Sequence, residues 1–150
     1  MKRLSFLILA VVLFAACKKN QTHQPAPSAS KIAGKWTINS VTVNALDSAG
    51  KYIPFRSHVY PEPASYYFQF NNDGTWTEHL AADSIPDFGE SGNYVLNSDT
   101  GFTLLKSGGI STPCKISSIS SSLFIFTHQR STKFDGTIPG FLEYVFKLTR

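Results

Sequence analysis

From Lys31 onward the chain never sustains the 3.6-residue apolar spacing of an amphipathic helix, and this limits what it can fold into. Side chains instead alternate in short runs, each bounded by Gly, Asn, Asp, Ser or Pro. Period two is the signature of a strand with one covered face, so strands are expected over residues 35–43, 65–70, 75–80, 93–96, 102–105, 114–119, 123–128 and 141–149. In the first of these Trp36 and Ile38 share one parity, whereas Val41 and Val43 take the other. A phase change inside one strand is what a β-bulge produces. Asn71-Asn72-Asp73-Gly74 supplies residues that tolerate positive φ between two such runs and predicts a hairpin. Asn97 to Gly101 and Ser120 to Ser122 predict two more. Between residues 44 and 64 the turn signal Asp47-Ser48-Ala49-Gly50 and Pro54, Pro61 and Pro63 predict a long loop.

Short strands in up-and-down order suit a sandwich or a barrel. Closure removes exposed edges, so the reading is all-β, an eight-stranded antiparallel up-and-down barrel. About 120 residues are enough for one such domain with its own core. Antiparallel pairing of the first and last strands would bring Trp36 near Arg150 or Lys147.

The core must rest on apolar burial. The chain has two cysteines, Cys17 and Cys114, and if Cys17 is modified no intrachain disulfide remains. Aromatics are plentiful instead: from Lys31 onward there are ten Phe, six Tyr and two Trp. The net charge of +4 is local, because Lys2, Arg3, Lys18 and Lys19 all precede the domain. The remaining ten Lys and Arg face ten Asp and Glu, which argues against a nucleic-acid partner.

The N-terminus reads as an address. Met1-Lys2-Arg3 is a positive start, and Leu4 to Ala16 is an uncharged apolar run too short for a membrane span, which needs about 20 residues as helix. Phe14-Ala15-Ala16-Cys17 resembles the lipobox of bacterial lipoproteins, with Phe14 where an aliphatic residue is usual. That resemblance implies cleavage before Cys17 and lipidation of its sulfur. It divides the chain into a signal peptide over 1–16, a lipidated Cys17 with a tether over 17–31, and a barrel domain over 32–150. Pro25 and Pro27 favour an extended tether, which at ~3.1 Å per residue would hold the domain roughly 30–40 Å from the bilayer. The implied location is the cell envelope of a Gram-negative bacterium, at the outer membrane.

The domain resembles the lipocalin-like barrels of bacterial lipoproteins. Gly34-Lys35-Trp36 matches the G-x-W that opens the first lipocalin strand. Phe70-Asn71-Asn72-Asp73-Gly74-Thr75 is similar to a hairpin motif of that family, F-x-x-D-G-T. Gly92-Asn93-Tyr94, the hairpin over 116–123 and the closing Glu143-Tyr144-Val145-Phe146-Lys147-Leu148 keep the family's order. The middle lipocalin motif, T-D-Y, is absent. The resemblance implies an interior that either holds a small apolar ligand or is filled by side chains, as in a structural or interaction module.

Nothing in the sequence supports catalysis, a metal site or a cofactor. His23, His58, His79 and His128 have no metal-type neighbours, and no nucleophile elbow or phosphate loop occurs. Ser107-Gly108-Gly109 reads as a plain loop, and Cys114 as a buried core residue. His79 alternates with Thr75 and Thr77 on a face expected to be solvated, whereas His128 shares parity with Phe124 and Phe126 at an expected barrel rim. Glu78, between Trp76 and Leu80 in parity, is either an anchor inside the barrel or a residue near its mouth. Asp47-Ser48-Ala49 and Asp83-Ser84-Ile85 resemble an O-glycosylation acceptor of some Gram-negative bacteria. The expected ligand-contacting set is Trp36, Tyr66, Phe68, Phe70, Trp76, Tyr94, Phe102, Phe124, Phe126 and Tyr144, divided with Phe146 between the inner face and a cap over its mouth. That division would leave a small cavity near the open end, with the loop over 44–64 as its lid.

Overall fold

The structure is a computed structural model that describes residues 31–54, 56–61, 65–80 and 89–150. The apolar leader, Cys17, the tether up to residue 30 and Asp83-Ser84-Ile85 lie outside the described residues.

Nine strands form one antiparallel sheet: β1 (Gly34–Asp47), β2 (His58–Pro61), β3 (Tyr67–Phe70), β4 (Thr75–His79), β5 (Ser91–Ser98), β6 (Gly101–Lys106), β7 (Ser111–Ile119), β8 (Leu123–Phe134) and β9 (Ile138–Thr149). Each pairs with the next from β3 onward, and β9 pairs back onto β1, so the sheet closes. β2 and β3 lie along the same edge of β1, β2 opposite residues 40–43 and β3 opposite residues 34–37. Taken together as one interrupted strand, they make the eight-stranded antiparallel barrel that the alternation predicts.

The phase change in β1 is a bulge. Its register against β9 slips between Ile38 and Ser40, leaving Asn39 as the extra residue. Trp36 and Ile38 before the slip and Val41 and Val43 after it therefore all face inward.

Short turns close one end of the barrel. Asp73 accepts hydrogen bonds from the Thr75 amide and hydroxyl in the 71–74 turn. Trp36 is fully buried there and donates through Nε1 to the Ile32 carbonyl at 2.8 Å. The Arg150 guanidinium lies over its ring, 3.9 Å from the centroid, and donates to the Ala33 carbonyl. The expected contact between first and last strands is thus made by Arg150. Gly34 has a φ of 128°, and a side chain on it would run into that guanidinium. The G-x-W pattern is in this way a consequence of closure.

Above this plug the interior is aromatic. Phe68, Phe70, Trp76, Phe102, Phe124, Phe126 and Phe146 pack together with Ile32, Ile38, Leu104, Cys114, Ile116 and Leu148. Phe126 stands 4.9 Å from Phe146, 5.2 Å from Phe124 and 5.3 Å from Phe102 between ring centroids. Such pairs contribute ~0.5–1.5 kcal/mol each beyond the area they bury. Tyr94 stands edge-on to Phe70 at 5.4 Å, and its hydroxyl donates to the Asn71 carbonyl at 2.7 Å. The aromatics of the expected set lie on the inner parity of their strands, whereas Tyr67 lies on the outer one under Lys35. Among the described residues the sheet closes and its core is complete within residues 31–150.

Two segments depart from the expected boundaries. The stretch over 44–64 is not all loop: β1 runs on to Asp47, Tyr52 bridges back to Leu46, and β2 follows. Pro61 is compatible with β2 because it is the last residue of the strand. Strand β8 continues six residues past His128, to Phe134, and turns into β9 through Asp135 and Gly136, both at positive φ. Its polar run Gln129-Arg130-Ser131-Thr132-Lys133 shows no apolar alternation because that part of the hairpin stands largely in solvent.

Candidate functional site

The open end holds a cavity of about 640 Å³. Strand β1 contributes Val41 and Val43 to it, since the bulge has already turned their parity inward. Strand β2 places Tyr60 opposite Val41 and His58 opposite Val43, so both face the same space. Tyr66 precedes β3, Glu78 and Leu80 come from β4 and just beyond it, and Leu142, Tyr144 and Phe146 come from β9. Arg56 stands among these residues, held by Asp135 at 2.9 Å and lying over the Phe134 ring. The walls are thus mainly apolar, with Arg56, His58 and Glu78 as the charged or imidazole groups and Tyr60, Tyr66 and Tyr144 as the phenols.

Of the expected ligand-contacting residues, Tyr66 and Tyr144 line this cavity. Trp36, Phe70, Tyr94, Phe102 and Phe124 belong to the packed interior nearer the closed end. Phe68, Trp76 and Phe126 reach a second space, a chamber of about 40 Å³ that also touches Glu78, Glu90, Leu104, Lys106, Thr112, His128 and Phe146. Sequence reasoning did not single out Arg56, Val41, Val43, Leu80 or Leu142 as cavity residues, and it treated His58 only as a histidine without metal-type neighbours. The parity switch in β1 was the available signal for Val41 and Val43.

Glu78 is half-buried and borders both spaces, so the anchor and mouth readings converge on one position. His79 is on the outer parity and stacks on Tyr67 at 4.7 Å. Ser48 sits in an exposed turn whose amides at Ala49 and Lys51 donate to the Asp47 carboxylate. His128 lies deeper than a rim position, stacked on Tyr144 at 4.9 Å and near Phe146 at 5.6 Å. Burial, aided by the nearby Lys106 charge and opposed by Glu90, pushes its pKa down from 6.5 to about 4. Burial pushes the Cys114 thiol up to about 12, so it is held as the thiol rather than the nucleophilic thiolate. Among the described residues no three of His, Cys, Asp and Glu come together as a metal set.

The chain matches no family model, and no curated protein matches it. The barrel and its cavity therefore carry the functional argument on their own geometry.

His128 makes stability pH-dependent in a defined window. Between pH 6.5 and 4 the unfolded chain protonates this imidazole while the folded barrel keeps it neutral. Its contribution is thus fully present above pH 6.5 and is lost as pH falls toward 4, on the order of 2 kcal/mol after allowing for partial exposure. His128→Phe should flatten that part of the profile, as read by urea unfolding at pH 7 and pH 4.5. An unchanged difference between the two pH values would show that the imidazole is not held neutral.

Proposed function

We propose that this chain is a lipid-anchored envelope protein whose lipocalin-like barrel binds a small, elongated, mostly apolar molecule without catalysis. The observation that carries the reading is the open-end cavity. Its volume of about 640 Å³ falls within the ~300–1,000 Å³ usual for small-molecule sites. Its walls of Val, Leu, Ile, Phe and Tyr suit an acyl-type chain. The apolar leader ending in Ala15-Ala16-Cys17 supports the anchor and the outer-membrane location. A second reading, an interaction module with no ligand, draws support from the aromatic packing that fills the rest of the barrel.

Titration of residues 31–150 with N-phenyl-1-naphthylamine, a neutral apolar fluorophore, separates the two. Binding is expected to be saturable and micromolar, at ~0.3–0.5 kcal/mol per non-hydrogen atom. Val41→Trp, which fills the cavity from the β1 side, should weaken it at least about tenfold. Absence of saturable binding would leave the interaction module as the better account.

A further inference from the structure

Two polar atoms in the barrel interior are buried without a hydrogen-bond partner among the described residues: Trp76 Nε1 and His128 Nδ1. Trp76 is 1% exposed, so water outside the barrel does not reach its N–H. An unmet buried donor is costly, and buried polar groups in folded proteins are nearly always paired. Both residues line the same 40 Å³ chamber. Glu78 and Phe146 line the chamber and the open-end cavity alike, so the two spaces abut.

The chamber has a definite chemistry. The indole offers one donor. A neutral imidazole with its proton on Nε2 offers one acceptor at Nδ1. The volume exceeds the ~10–15 Å³ that a single water needs, so a small polar group fits. The charged residues around it are Glu78, Glu90 and Lys106, with Lys106 ion-paired to Glu90.

We infer that the chamber receives the inward end of the bound molecule and selects a terminal hydroxyl, which accepts from Trp76 Nε1 and donates to His128 Nδ1. The ligand class is then a long-chain alcohol or a similarly hydroxylated amphiphile, with its chain along Phe146 and Tyr144 and its other end toward Arg56 and His58. This rests on the binding reading above and specifies which head group that site takes. A carboxylate is rejected here because it has no proton to donate to His128 Nδ1, and a plain hydrocarbon leaves both polar atoms unmet.

The test displaces N-phenyl-1-naphthylamine from residues 31–150 with decan-1-ol, decanoate and 1-chlorodecane, on the wild type and on Trp76→Phe. The substitution removes the donor and keeps an aromatic ring. Decan-1-ol should bind the wild type about tenfold more tightly than decanoate. Trp76→Phe should weaken decan-1-ol about five- to tenfold and leave 1-chlorodecane unchanged, the size expected for one buried hydrogen bond. Equal losses for both neutral ligands, or decanoate binding as well as the alcohol, would overturn the inference while leaving the binding reading intact. Failure of the fluorophore itself to bind would remove both. A crystal structure of the decan-1-ol complex gives a check that needs no variant. The hydroxyl oxygen should lie within hydrogen-bond distance of Trp76 Nε1 and His128 Nδ1, and a chamber holding only water with the hydroxyl at the mouth overturns the proposal.

Discussion

Replacing Trp36 by alanine is expected to cost about 4 kcal/mol, the range seen when a buried aromatic is cut back to a methyl group. Domains of this size are stable by only ~5–15 kcal/mol, so the variant should unfold at least ~10 °C below the wild type. The size of the effect follows from what meets at this one side chain. The ring packs against Phe124 at 5.4 Å, its Nε1 holds the Ile32 carbonyl, and its face carries the Arg150 guanidinium. Loss of the ring therefore opens the core, orphans an acceptor and releases the C-terminal strand end together. Arg150→Ala alone should cost about 1 kcal/mol, the scale of a partly exposed cation–π contact. In the Trp36→Ala background it should cost less, because the ring is gone and only the donation to the Ala33 carbonyl remains. Chemical denaturation of the four variants measures this directly. Additive losses would mean that Arg150 stabilises the barrel by a route other than the Trp36 ring.

Cys17→Ser is expected to abolish acylation and release the protein as an uncleaved or soluble form. A lipoprotein signal commits the protein to the bilayer through acyl chains at ~0.8 kcal/mol per buried CH₂, and more than one chain makes the anchoring stable. From Lys31 onward the charges balance, and no helix among the described residues is long and apolar enough to cross a membrane. Serine provides no sulfur for the thioether. Radiolabelled palmitate incorporation should fall to background, and the processed form should be lost in expressing cells. Persistent labelling, or processing unaffected by globomycin, would mean that the leader is an ordinary secretory signal and that Cys17 follows it by coincidence.

Much of the barrel was legible because its strands obey a local rule. Alternation located the core of every strand except β2, the parity change between Ile38 and Val41 located the bulge, and Asn71-Asn72-Asp73-Gly74 located the first hairpin. Closure was legible too, since an antiparallel first and last strand must bring Trp36 toward Arg150. The cavity was not, because it depends on what strands do beyond their alternating parts. Strand β2 is four residues long, ends in proline and exists through pairing with the far half of β1. No local pattern marks such a strand, so Tyr60 was expected in the lid loop over 44–64, and the role of His58 as a cavity wall went unread. Alternation also cannot tell a packed inner position from one beside a void. Trp36 and Tyr144 look alike in sequence, yet one plugs the closed end and the other borders open space.

The interruption between β2 and β3 has a consequence for how the barrel moves. β3 is gripped on both sides, by β1 and by β4, whereas β2 is held among the described residues only by four register pairs to β1. Cooperative opening follows the least-buttressed unit, and β2 carries few buried apolar side chains to resist it. The wall formed by His58 and Tyr60 can thus exchange its amide protons with solvent through a local excursion, while the ring of aromatics around Phe126 exchanges only when the whole sheet comes apart. Local opening of this wall and global unfolding are therefore separate events, governed by different parts of the sequence.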